Sequence, residues 1–219
     1  MTHKEDMYFL TNDISFPPVE SADENGFLAF GGDLGTERLL EAYRNGIFPW
    51  YNEQDPICWW SPDPRFVLFP DQLHISKSMK QVINKGKFSF SVSQSFEEVI
   101  RACSSVTRKE ANGTWIHEEM IEAYMKLHKL GYAISAETWC DDKLVGGLYG
   151  IKMGKLFFGE SMFSYMSNAS KFAFIKLVQQ LSVEGIKLID CQMHTSHLES
   201  LGAAMIPRDK FIEIVKKNI

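Results

Sequence analysis

Asp190 lies inside "LIDCQ" (188–192), directly after Leu188 and Ile189 and two residues before Gln192. A lone carboxylate in an apolar strand is costly unless it is paired or opens onto a site. Side chains two apart on a regular strand share a face, about 6.5–7 Å from one another. Asp190 and Gln192 therefore read as a carboxylate and an amide pointing the same way. Two roles fit: a structural acid binding the backbone of the next loop, or a pair lining a cleft at the end of a sheet. Glu160, in "LFFGESMFS" (156–164), is a second acid set in an apolar strand. Two such acids on neighbouring elements suggest a polar pocket with apolar walls. That pocket suits an amino acid, with carboxylates for its ammonium group and Phe157, Phe158, Phe163, Phe174 or Leu177 for its side chain.

Three other chemistries have partial signals. Cys191, His194 and His197 are spaced like metal ligands, but no second ligand pair accompanies them. "GGDLGT" (31–36) resembles a phosphate loop, yet it has no Lys before its Thr and carries Asp33, which repels phosphate; a turn into a helix is the expected structure. A Ser–His–Asp hydrolase lacks its G-x-S-x-G elbow.

Residues 72–95 carry His74, Lys77, Lys80, Lys85 and Lys87 and no Asp or Glu. On a chain of net charge −5, overall attraction to nucleic acid is absent, and binding must rest on a local patch such as this one. The alternative is a merely solvated face. Trp rings near such a strip can stack an unpaired base, worth about 1–3 kcal/mol each.

The elements that must position these residues are legible from punctuation and periodicity. Residues 1–66 are rich in Pro, Gly and Trp, with one helix after "FGGDLG" whose expected N-cap is Thr36 and whose end is Gly46. Pro62 and Pro64 mark a boundary near residue 66. Beyond it, Ser76 to Asn84 reads as a short helix, and "FSFSV" (88–92) alternates as a strand with Phe88, Phe90 and Val92 on one face. Met120, Ala123, Tyr124 and Leu127 follow helical spacing up to Gly131. "YAISAETWC", "KLVGGLYGI" and "KLFFGESMF" are strands, the last two joined by a turn at 152–154. A helix from about Asn168 to Glu184 and a strand over 186–192 follow. The expected class is α/β (α+β), with a small N-terminal domain (1–66) and a larger one (67–219). At 219 residues, 45% hydrophobic and 23% charged, the chain is globular rather than disordered. Four scattered cysteines without a CxxC pair point to reduced thiols in a cytoplasmic protein. The sequence has neither a signal core nor an apolar run long enough for a membrane span.

Taken in order, "NGFLAFGGDLGTERLLEAYRNGIFPWY", "WWSPDPR", "LHISKSMK", "GTWI", "LVGGLYG", "FFGESMFS", "NASK", "LIDCQ" and "HLESLGA" closely resemble the leucyl/phenylalanyl-tRNA–protein transferase family, from Phe16 to Phe211. The resemblance implies an acetyltransferase-like (GNAT) fold for the C-terminal domain. It implies transfer of Leu, Phe or, less readily, Met from aminoacyl-tRNA to proteins beginning with Arg or Lys, which creates an N-terminal degradation signal. By position, Trp50 and Trp115 match rings that hold the tRNA's terminal adenosine. Leu148, Phe157, Ser164, Phe174, Leu177 and Ile189 match the donor side-chain pocket, with Leu148 standing where some members have Met. Glu160 matches the acid near the donor amino group, Asp190 and Gln192 the proposed catalytic pair, and Lys77, Lys80 and Lys85 the tRNA-binding basic residues. No metal, nucleotide triphosphate or coenzyme is expected, and the chain is expected to act as a monomer. Asp190 either deprotonates the acceptor amine or only orients it while the tRNA's own hydroxyl carries the proton. A CoA-dependent acetyltransferase is the competing enzyme, but "SMFSYMSNASK" (161–171), where its pyrophosphate loop would fall, contains no Gly.

Overall fold

The computed structural model describes residues 8–105 and 116–219. The N-terminal part contains β1 (Tyr8–Leu10), β2 (Phe27–Gly31), α1 (Thr36–Arg44), β3 (Phe48–Pro49) and β4 (Cys58–Trp60). The rest contains β5 (Arg65–Leu68), α2 (Lys77–Asn84), β6 (Ser89–Val92), α3 (Phe96–Ser105), α4 (Glu118–Lys129), β7 (Ala133–Cys140), β8 (Lys143–Met153), β9 (Leu156–Ser164), α5 (Ala169–Val183), β10 (Leu188–Gln192), α6 (Ser196–Glu199), β11 (Ala204–Ile206) and α7 (Arg208–Asn218). The mixed α/β class expected from the sequence is the class observed. No helix among the described residues is long and apolar enough to cross a membrane.

Two sheets organise the chain. The smaller has four strands in the order β1-β2-β4-β3 and closes over Trp59, which is fully buried and donates its Nε1–H to Gly31 O at 3.0 Å. Arg38, also fully buried, ties the preceding segment down by donating to Thr11 O and Asp13 O at 2.6 and 2.8 Å. Thr36 is the first residue of α1 rather than its cap, and Gly35 takes the cap position. The reason is local: Asp33 Oδ1 already accepts the Gly35 N–H at 2.6 Å, forming the turn that launches the helix. "GGDLGT" is thus a turn held from within by Asp33, which also pairs with Arg38 at 3.1 Å.

The larger sheet has seven strands in the order β11-β5-β10-β9-β8-β7-β6. Its strands pair antiparallel except for β9 and β10, which run parallel with α5 as their crossover. Strand parity sorts the apolar side chains into two cores. Val67, Tyr149, Ile151, Phe158 and Leu188 join α1, α3, α4 and α7 in one, whereas Phe66, Leu68, Leu148, Phe157 and Ile189 join α5 in the other. The two cores lie on opposite faces of the sheet.

Candidate active site

Parallel pairing of β9 with β10 ends at Phe158 opposite Asp190, although both strands run on. Glu160 and Gln192 each follow two residues beyond that last pair. Each also sits at an irregularity. The β8–β9 register shifts between Tyr149 and Gly150, leaving Glu160 without an opposite residue, and the β5–β10 register shifts between Asp190 and Gln192. Bulges of this kind bend a strand and re-aim its side chains. The ends of a parallel pair are also where α/β sheets place ligands. Gln192 Nε2 donates to Glu160 Oε1 at 3.0 Å across this gap.

Glu160, 8% exposed, is held by two phenols from outside the sheet. Tyr43 on α1 and Tyr124 on α4 lie 2.7 Å from Oε1 and 2.9 Å from Oε2, and their own hydroxyls are 2.6 Å apart. Three oxygen–oxygen contacts this short call for three protons, and two phenols supply two. The third belongs to Glu160, so the closed ring corresponds to its protonated form. Burial, together with the Asp190 charge, pushes the Glu160 carboxyl up to about 7, against hydrogen bonds from Tyr43, Tyr124 and Gln192 that pull it down. Burial, and next the neighbouring Glu160 carboxylate, hold both phenols well above the ordinary range, so the phenols keep their protons while Glu160 exchanges its own. Tyr43→Phe removes one lowering hydrogen bond and should move the Glu160 titration to higher pH. NMR titration of the Glu160 carboxyl checks this, and an unshifted midpoint would contradict it.

Asp190 is fully buried and its two oxygens are taken. Arg65, at the start of β5, donates Nε–H to Oδ1 at 2.8 Å and Nη2–H to Oδ2 at 2.7 Å, and both side chains are 1% exposed. Oδ1 also accepts the backbone N–H of Gln192 at 2.9 Å. The expectation that Asp190 and Gln192 share a face assumed a regular strand. The register shift, with Gln192 at φ 62 in the left-handed region, breaks that alternation: Asp190 reaches back to Arg65 while Gln192 reaches across to Glu160.

Five of the six residues expected to hold the donor side chain, Leu148, Phe157, Phe174, Leu177 and Ile189, fall in a single core cluster beneath α5, each at most 2% exposed. Ser164 does not join them; it is exposed, and its hydroxyl donates to Met166 O at 2.7 Å at the entrance to α5. Trp50, 37% exposed, presents its ring beside Trp60 with centroids 5.5 Å apart. Trp115 lies outside the described residues. Lys77, Lys80 and Lys85 are exposed on and just after α2. That helix is capped by Ser76, whose hydroxyl accepts from Met79 N at 3.2 Å, and is anchored by buried Met79. Arg65, Tyr43 and Tyr124 were not singled out by sequence reasoning. Helical periodicity treats Tyr43 and Tyr124 as core, and only the need of a buried acid for a cation hinted that an arginine such as Arg65 must exist.

A family model described as leucyl/phenylalanyl-tRNA protein transferase matches residues 67–216, and one for the N-terminal domain of that family matches residues 32–63. Proteins named leucyl/phenylalanyl-tRNA–protein transferase are 58% identical over 212 residues in Flavobacterium johnsoniae, covering 97% of this chain and 100% of the relative. The protein of that name in Christiangramia forsetii is 58% identical over 211 residues, with 95% and 100% coverage. The one in Nitrosospira multiformis is 53% identical over 213 residues, with 96% and 91% coverage. Solved structures that align with the chain include a GCN5-related N-acetyltransferase from Kribbella flavida, at TM-score 0.37 and 11% identity, covering 78% of this chain and 59% of that one.

Proposed function

We propose, since the chain belongs to the leucyl/phenylalanyl-tRNA protein transferase family of aminoacyltransferases, that it moves Leu, Phe and, less readily, Met onto the free α-amine of proteins beginning with Arg or Lys. The α-amine attacks the ester carbonyl of the aminoacyl-tRNA, an amide C–N bond forms, and the C–O bond to the ribose breaks. The amine's proton ends on the departing ribose oxygen. The ester is already activated, so the protein's work is mainly positioning. The acceptor amine, with a reference pKa of about 7.7–8.0, must be neutral to attack.

The observation that carries this reading is the Gln192–Glu160 contact at 3.0 Å, where the β9–β10 ladder opens. One acid and one amide stand there, between a core cluster able to wall an apolar side chain and a polar ring able to hold an ammonium group. Ionised Glu160 receives the donor's α-ammonium, and Gln192 keeps its carbonyl oxygen for the acceptor amine. Leu148, Phe157, Phe174, Leu177 and Ile189 wall the donor side chain, and Trp50 and Trp115 stack the terminal adenosine. A side-by-side incubation with charged leucyl-tRNA and with labelled acetyl-CoA tests the donor. Product from the tRNA alone supports the reading, and product from acetyl-CoA alone overturns it.

Lys77, Lys80 and Lys85 carry none of the ion pairs found among the described residues, which leaves them for phosphates. Replacing each with Ala should weaken tRNA binding and lower the slope of log K against log salt by about 1 per lysine. Unchanged slopes by filter binding would place the tRNA elsewhere.

A further inference from the structure

Arg65 opens β5, between β11 and β10 in the sheet, and its side chain hydrogen-bonds Asp190 rather than Glu160 or Gln192, the residues that face the gap between β9 and β10. Its guanidinium lies between two aromatic rings, with Cζ 4.7 Å from the centroids of both Phe48 and Phe211. Those rings come from β3, in the small sheet, and from α7, so three separate parts of the chain fix one side chain. Its Nη1 is buried and has no hydrogen-bond partner among the described residues, so the orientation is set by the side-on grip on Asp190 and by the flanking rings. Asp190 passes that orientation on. The oxygen that accepts Arg65 Nε–H also accepts the backbone N–H of Gln192, and this contact pins Gln192 at φ 62. A non-glycine residue holds such a conformation only where its surroundings dictate it.

Resting on the function proposed above, we infer that Arg65 is a positioning residue for transfer: it clamps Asp190 so that the Asp190 carboxylate fixes the Gln192 backbone and aims the Gln192 amide at Glu160. Asp190 then is neither base nor substrate ligand. Both its oxygens are engaged and its side chain is 1% exposed, so no amine reaches it. The Arg65–Asp190 pair does its work through the chain direction at Gln192, and the two groups at the mouth of the gap, Glu160 and Gln192, meet the substrates.

Arg65→Lys tests this, because Lys keeps the charge but lacks the planar fork. With charged leucyl-tRNA and an Arg-led peptide, kcat should fall about 10- to 100-fold, the range expected for a small misplacement, with the KM for tRNA unchanged and the pH midpoint moved upward, because a mis-aimed Gln192 no longer pulls the Glu160 carboxyl down. In a Gln192→Ala background the same substitution should cost almost nothing further, since its route of action is gone. A fall that simply adds to that of Gln192→Ala, or a variant as active as the wild type, overturns the inference. Arg65→Met/Asp190→Leu guards against unfolding, because apolar replacement of a buried pair is often neutral in stability. That double variant should melt cooperatively and bind donor normally while losing kcat; full kcat in it also overturns the inference. Failure of the wild type to transfer at all would instead remove the proposed function, which the same assay shows separately.

Discussion

Glu160→Gln is expected to lower kcat/KM for aminoacyl-tRNA by roughly 10²-fold, the effect of losing about 3 kcal/mol of a buried charged contact. The same substitution should erase one limb of the pH profile. In the proposed role of holding the donor's ammonium, the wild-type carboxyl at about 7 must first ionise, so the ratio of wild-type to variant kcat/KM should climb as pH rises through 7. Stability moves the other way. A carboxyl raised from 4.5 to about 7 binds more protons folded than unfolded within that window. Its contribution is therefore full below 4.5 and is lost as pH rises to about 7, amounting to about 3 kcal/mol. Urea midpoints should show the wild type declining across this window and Glu160→Gln staying nearly flat. A parallel decline in both would mean that Glu160 titrates elsewhere. Ionised Glu160 is therefore costly to the fold.

Asp190→Ala is expected to cost about 3–5 kcal/mol, because it leaves Arg65 charged, buried and unpaired. Asp190→Asn keeps an acceptor for one of the guanidinium N–H groups and should cost less while still disturbing Gln192. Equilibrium unfolding in urea measures both. An Asp190→Ala variant as stable as the wild type would show that Arg65 finds water or another partner. The large expected effect follows from where the pair lies: β5 beside β10 in the sheet, with the aromatic rings of Phe48 and Phe211 closing over the cation.

Local signals in the sequence were reliable where the structure is locally determined. The short helix after His74, observed as Lys77–Asn84, the alternation of Phe88, Phe90 and Val92 toward the α5 core, and the stop at Gly131 with φ 83 are all present. Thr36 failed as a cap because a nearer acid, Asp33, satisfied the turn first. Two acids in apolar strands pointed to a polar cluster, which the structure places where the β9–β10 pairing ends, but their different partners were hidden. A register shift is a property of the partner strand, so the two-residue rule could not foresee that Asp190 and Gln192 would part. Arg65 lies 125 residues from Asp190 in the chain, and no periodicity links them. Tyr43 and Tyr124 carry a polar tip on an apolar ring, and spacing alone registers only the ring.

The most direct test of a single gap that joins donor and acceptor is transfer of labelled leucine from its tRNA to a peptide beginning with Arg, run beside the same peptide acetylated at its N-terminus. The account predicts a new amide on the first peptide and none on the second. Label on neither peptide, or equally on both, would contradict it.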